Sequence, residues 1–133
     1  MEYRNNPSRH WKHIASIPFI YAPFFIMVPM DLIMELYHRV AFPLYGLPLI
    51  DRSKYIKIDR QKLSYLTGLE KLNCMYCGYA NGLFPYGAAI CAATEAYWCG
   101  IQHEKDPTFM QPKHHENFVP FGDEKTFHEK FGE

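Results

Sequence analysis

The chain has 133 residues, which fits one domain or one domain with an apolar arm, and it contains 14 Lys plus Arg against 14 Asp plus Glu. Because there is no basic excess, the chain is not expected to bind nucleic acid, and it contains neither a nucleotide-binding glycine loop nor a serine-hydrolase elbow. Its four cysteines are few for a secreted disulfide scaffold, so we expect them to be reduced and intracellular.

Residues 1–50 are predicted to form an apolar helical arm. From Ile14 to Met30 the chain runs 17 residues without a formal charge, whereas a membrane-spanning helix needs about 20. Three prolines interrupt this run, and a second uncharged run over residues 40–50 is shorter still. Because basic residues flank both runs, a helical hairpin that lies on or dips into a membrane fits the charge pattern better than one crossing. The alternative is a pair of helices in a soluble core.

A polar cluster lies between the two apolar runs. Asp31, Glu35 and His38 share one face of a predicted amphipathic helix. Glu35 and His38 form a Glu-x-x-His pair of the kind that binds iron in ferritin-like bundles, although those bundles contain the pair twice and this chain contains it once. With Glu95 and a histidine, for which His103, His114 and His115 are available, the cluster defines a second candidate iron site. The simpler interpretation is the solvated face of a helix.

Residues 51–105 are predicted to form a small metal-binding domain. Alternating apolar and polar residues over 55–59 predict a short strand. Three glycines and a proline predict a loop over 78–87. The alanine-rich segment 87–98 predicts a helix that ends at Gly100.

The cysteine motif is Cys74-Met75-Tyr76-Cys77-Gly78. Two cysteines at this spacing can reach one metal ion from a tight turn, and the following glycine lets the backbone bend. The segment resembles the metal-binding knuckle of rubredoxins and zinc ribbons. Those families use two knuckles and four thiolates, and the second knuckle is missing here.

Tetrahedral zinc takes four nitrogen or sulfur ligands. One available set is Cys74, Cys77, Cys99 and His103, and the other has Cys91 in place of His103. The first is slightly preferred, because Cys91 lies among alanines, where buried structural thiols are common. Zn²⁺ is the expected ion and iron the alternative, which the all-sulfur set would favour. A redox-active Cys74–Cys77 pair and inert thiols are the other interpretations.

Residues 106–133 are predicted to form an extended polar tail, with one short helix over 123–131. The tail contains Lys113-His114-His115. Neighbouring histidines in a solvated tail are more common than a pair of metal ligands, so this signal is weak.

Most of the chain, from Trp11 to Gly122, is similar to a group of small bacterial proteins of unknown activity. The similarity is carried by Tyr37-His38 with residues 42–46, by residues 55–60, and by the pattern CxYCGYxNG followed by YWCGIxH at residues 74–82 and 97–103. It implies no reaction.

Together the patterns predict a mainly α, irregular small metal-binding domain with an apolar N-terminal helical hairpin. The expected function is that of a membrane-associated zinc or iron protein, acting as an accessory subunit or adaptor of a larger complex. Its expected location is the cytoplasmic face of a membrane, the inner membrane in a bacterium. The alternatives are a rubredoxin-like electron carrier and a small iron-dependent oxidoreductase that uses Asp31, Glu35 and His38. The sequence does not specify whether the chain is an enzyme.

Overall fold

The computed structural model describes residues 2–132, and the chain is mainly helical, as predicted. Its α-helices are α1 (His10–Tyr21), α2 (Phe24–Tyr45), α3 (Gly68–Trp98) and α4 (Glu124–Phe131). Between residues 2 and 132 the β-type pairing is limited to an isolated parallel bridge between Ile101 and Val119. The chain divides into two compact units, the first ending at Pro85 and the second beginning at Tyr86.

The first two helices follow one another without the predicted reversal. Ala22 and Pro23, which lie between them, keep right-handed helical dihedral angles. The carbonyl of Pro23 accepts hydrogen bonds from the N–H groups of Ile26 at 3.0 Å and Met27 at 2.8 Å. Proline is tolerated at the start of a helix, where its missing N–H costs least. The apolar segment is therefore an interrupted helical run, and the hairpin prediction is wrong at this point.

The run from Pro7 to Tyr45 is long and apolar enough to cross a membrane, by length and composition alone. Only 11% of the most apolar 18-residue window of this run is buried within the protein. A helix in the core of a soluble protein is mostly buried, so this run differs from one. Its few buried apolar side chains, Met27, Ala41 and Phe42, contribute to the core of the first unit, and Leu83 of α3 is also fully buried.

Helix α3 begins at Gly68 and includes the segment that we predicted to be a loop over residues 78–87. Two of these glycines, Gly78 and Gly82, lie within the helix and let the backbone of residues 55–57 pack closely against it. A Cβ added to Gly78 would lie 2.8 Å from the carbonyl oxygen of Lys57, and one added to Gly82 would lie 2.6 Å from Cα of Ile56. The segment 55–59, which we predicted to be a strand, forms none. Its backbone packs against the glycines of α3 and has no neighbouring strand with which to pair.

The second unit contains the C-terminal part of α3, the following loops and α4. Its buried apolar side chains are Tyr86, Ile90 and Val119. The predicted short helix near the C-terminus is confirmed as α4. It is capped by Asp123, whose carboxylate accepts a hydrogen bond from the N–H of Thr126 at 3.1 Å.

Substitution of Gly82 by Ala is expected to destabilise the fold by about 1–3 kcal/mol, because the new methyl group would overlap the backbone of Tyr55 and Ile56. Gly68→Ala is the matched control. A Cβ at Gly68 meets no atom within 4 Å, so this change is expected to stabilise by about 0.4–1 kcal/mol. Chemical unfolding followed by circular dichroism measures both. Equal effects of the two substitutions would contradict the close packing of residues 55–58 on α3.

Candidate metal centre

The end of α3 fixes the position of Glu95. The helix ends at Trp98, and Gly100 has a φ of 64°, in the left-handed region that favours glycine. The N–H groups of Cys99 and Gly100 donate to the carbonyl of Glu95 at 2.8 and 3.2 Å. These bonds close the last helical turn, and His103 follows in the loop just after it. The predicted helix end at Gly100 is confirmed.

A short backbone pairing brings the distant segment 113–119 to this helix end. The N–H of Val119 donates to the carbonyl of Gly100, and the N–H of Gln102 donates to the carbonyl of Val119, each at 2.8 Å. The side-chain amide of Gln102 also donates to the carbonyls of His115 at 2.9 Å and Phe118 at 3.3 Å. Residues 100–102 thus hold His115 beside the last turn of α3.

Three ligand-type side chains meet there. The carboxylate of Glu95 and the ring nitrogens of His103 and His115 each offer an atom within 4.8 Å of the others. His115 is buried, Glu95 is half-buried and His103 is exposed. In a tetrahedral site, ligand atoms about 2.0–2.2 Å from zinc stand about 3.4 Å apart. The three groups are therefore close to a spacing that one ion could bridge, on a centre with one open side.

His115 is the unusual member of this group. It is 1% exposed, and within residues 2–132 neither of its ring nitrogens has a hydrogen-bond partner. Its Nε2 lies 3.1 Å from Oε1 of Glu95, but the contact lacks hydrogen-bond geometry. A buried polar group without a partner is costly. Coordination of an ion by a neutral imidazole would satisfy one of these nitrogens.

Two neighbours fix the ligand geometry. The ring of Phe118 stacks on that of His115, with centroids 4.7 Å apart and planes inclined by 23°. The second neighbour is His114, whose Nε2 lies 2.8 Å from Oε2 of Glu95. The pKa of Glu95 lies below its ordinary value, mainly because of the hydrogen bond with His114 and to a smaller extent because of the interaction with His115. Glu95 is therefore a carboxylate in neutral solution, the form in which it would bind a cation.

The cysteines predicted as ligands lie elsewhere in the chain. Cys74 and Cys77 are on α3 in the first unit, whereas Cys91 and Cys99 belong to the second unit. All four are free thiols, with Cys74 half-buried and the others exposed. Among the described residues, the group of three that could hold an ion includes His103 but none of the cysteines. The cysteine-based site stays a prediction.

The second predicted site is engaged in protein contacts. Asp31 accepts two hydrogen bonds from Arg52, both at 2.6 Å, and a third from the hydroxyl of Tyr79 at 2.9 Å. Glu35 pairs with Arg39, and Nε2 of His38 accepts a hydrogen bond from the N–H of Ile50 at 2.9 Å. These contacts occupy the three side chains with protein partners, and Asp31 and His38 are buried, so the expectation of a solvated helix face is wrong for these two residues. Glu95, which we had grouped with these residues, lies with His103 and His115 instead.

His115 is the residue that the sequence analysis underrated, because its histidine pair was judged a weak signal. The expectation of a solvated histidine pair does not hold for it, because its side chain is buried. The available signal was the apolar pair Phe118-Val119 that follows, which anchors the segment: Val119 is 2% exposed.

No family model, curated protein or solved structure matches the chain. Its function is therefore inferred from the side chains of the site.

Substitution of His114 by Ala is expected to raise the pKa of Glu95 toward its ordinary value, because it removes the largest interaction that favours the carboxylate. A lowered folded-state pKa contributes stability that is present above the unfolded-state pKa and is lost as the pH falls through the folded-state pKa. The variant should therefore be less stable than the wild type at neutral pH, and the difference should narrow in acid. Carbon-13 NMR of the Glu95 carboxyl group and unfolding at several pH values measure both effects.

The control for this prediction is His128→Ala. His128 lies 3.6 Å from Glu124 in an exposed pair and does not contact Glu95. An unchanged pKa of Glu95 in His114→Ala, or an equal change in both variants, would contradict the assigned role of His114.

Proposed function

We propose that the protein is a small metal-binding protein that holds one zinc or iron(II) ion through Glu95, His103 and His115. The observation that carries the proposal is the buried ring of His115, which has no hydrogen-bond partner among the described residues and faces a carboxylate at 3.1 Å. Two imidazoles and one carboxylate form a donor set that zinc and non-haem iron(II) both accept.

The accessible side of the group favours an open coordination site over a purely structural one. Structural zinc sites are closed by four protein ligands, whereas catalytic sites have three protein ligands and leave a position for water or substrate. Here three ligand groups meet, and His103 is exposed. The ring of His103 lies 5.1 Å from that of Phe109, which lines an open cleft of about 310 Å³ formed by residues 104–111. An ion held here would be accessible to small molecules from solution.

The roles of the protein groups follow from their burial and contacts. His115 would provide the fixed ligand, since packing against Phe118 restricts its ring. Glu95 would supply the negative charge, with one oxygen toward the ion and the other bonded to His114. A metal ion at this position can activate a bound water or bind a further ligand. A protein with such a centre could act as an accessory subunit or adaptor of a larger complex.

A second candidate is iron or zinc binding by thiolates, with electron transfer as the function in the case of iron. It is favoured by the spacing of Cys74 and Cys77, which lie three residues apart on α3 and so share one helix face. Thiolates select zinc and iron in tetrahedral sulfur sites. The two candidates use different ligands and are separable by substitution.

Metal titration of the full chain tests the proposal. The wild type is expected to bind one Zn²⁺, in competition with a chromophoric chelator. His103→Gln and Glu95→Gln should weaken binding by more than about 100-fold, beyond the effect typical of a group that only orients a ligand. His103 is exposed, so its substitution tests the ligand set without disturbing a buried side chain. His115→Gln should show the same loss.

The controls are His128→Gln and a variant with all four cysteines changed to Ser. Both should retain wild-type affinity, and the Co²⁺-loaded wild type should show no thiolate-to-cobalt charge-transfer band. Loss of binding in the cysteine variant, with binding intact in His103→Gln, would overturn the proposal and support the thiolate site.

A further inference from the structure

Helix α2 has an apolar outer face that none of the described residues covers. We define this outer face by its apolar side chains, each 54–78% exposed: Phe25, Ile26, Leu32, Ile33, Leu36, Val40 and Leu44. At 100° per residue these positions fall within about 120° of the helix circumference, as in an amphipathic helix. From Phe25 to Leu44 the face is about 28 Å long at 1.5 Å per residue. It carries no charged side chain.

The opposite face of α2 holds the polar side chains and packs on the first unit. Met27, Asp31, His38 and Phe42 are buried there. Asp31 is bonded to Arg52 and Tyr79, as described above, and Glu35 also lies 3.7 Å from Arg52. The Asp31–Arg52 ion pair is therefore at the mid-length of the helix and on the side away from the outer face, whereas Arg39, which pairs with Glu35, borders the outer face about 20° from Leu32.

This distribution of charge decides how the helix can meet a membrane. A helix that crossed the bilayer along its axis would place Asp31, Glu35 and Arg52 at the depth of the hydrocarbon core, where ionised groups are costly. A helix that lies in the plane of the membrane would place only its outer face in the acyl region and would keep the ion pairs toward water. The structure favours the second arrangement.

The neighbouring residues favour lipid over a protein partner. Protein interfaces contain about one hydrogen bond per 100–200 Å², and the outer face offers aliphatic and aromatic carbon alone. Helix α1 adds Trp11, which is 66% exposed and has Nζ of Lys12 5.5 Å from its ring centroid. Trp beside Lys is typical of a membrane–water interface. The first unit carries ten Lys and Arg against six Asp and Glu, a net charge of +4, which complements an anionic surface.

We propose that the outer face of α2, together with α1, inserts into the interfacial layer of an anionic lipid bilayer, with the axis of α2 parallel to the membrane plane. The partner is the lipid surface itself. The apolar side chains supply most of the binding free energy, and the basic excess of the first unit selects anionic headgroups.

Vesicle flotation of the full chain tests the surface. The wild type is expected to float with vesicles of phosphatidylcholine mixed with phosphatidylglycerol and to bind vesicles of phosphatidylcholine alone more weakly. Phe25→Glu and Leu36→Glu should each reduce vesicle binding by about tenfold to hundredfold, because each replaces an apolar side chain that would insert into the lipid with a charged one. Phe121→Glu is the matched control, because Phe121 is 60% exposed and belongs to the second unit. Equal losses in Phe25→Glu and Phe121→Glu would overturn the assigned face.

Tryptophan depth measurements test the orientation. Single tryptophans at positions 25, 33 and 44, in a background with Trp11 and Trp98 changed to Phe, are compared by quenching with lipids labelled at different depths. Similar shallow depths at all three positions support an in-plane helix. A deep tryptophan at 33 between shallow ones at 25 and 44 would overturn it in favour of a crossing helix. A dimer that does not bind vesicles, and that Leu36→Glu dissociates, would instead identify a second copy as the occupant and overturn the lipid proposal.

Discussion

The candidate metal centre depends on the short pairing of residues 100–102 with Val119. Without these backbone hydrogen bonds and the two that Gln102 donates through its side chain, His115 would have no fixed position relative to α3. Because residues 100–102 and Val119 are separated by a long loop, bringing them together costs loop-closure entropy. Burial of Val119 and stacking of Phe118 on His115 offset part of that cost. The same contacts that order the segment also bury the imidazole of His115, whose ring nitrogens have no hydrogen-bond partner among residues 2–132, so the order of this segment and the geometry of the site depend on the same interactions.

In the first unit, the corresponding constraint is the ion pair between Asp31 and Arg52. Two hydrogen bonds of 2.6 Å tie the middle of α2 to the segment after it, and Tyr79 of α3 donates to the same carboxylate. Burial, followed by that hydrogen bond to Asp31, raises the pKa of Tyr79 to about 12, so the hydroxyl remains a donor at physiological pH. The buried polar side chains of α2 thus have their partners on this side of the helix, and the outer face presents apolar side chains with Arg39 at its edge.

Local signals in the sequence were sufficient for the helical content, the end of α3 at Gly100 and the last helix. Each depends on residues within one or two turns: a left-handed glycine, an alanine-rich segment, and an Asp that caps its own helix. The glycines at 78 and 82 were misread because their role is set by the backbone of residues 55–57, which is distant in the sequence. Glu95, His103 and His115 were each named as possible ligands, but as partners of the cysteines or of Asp31, Glu35 and His38, and not as a site of their own. Their grouping depends on the pairing of Ile101 with Val119, which no local pattern encodes.

The graded burial of the three ligand groups determines how such a centre would bind an ion. His115 and Glu95 are held by Phe118 and His114, so little side-chain entropy is lost when they coordinate. His103 is exposed and would lose about 0.5–1.5 kcal/mol of rotamer freedom on binding, a typical cost for ordering one side chain. Affinity would then come mainly from the two fixed groups, whereas His103 would govern exchange with solution. A site with two held ligands and one exposed ligand would leave one side of the ion open to solvent, as in sites with three protein ligands and a bound water.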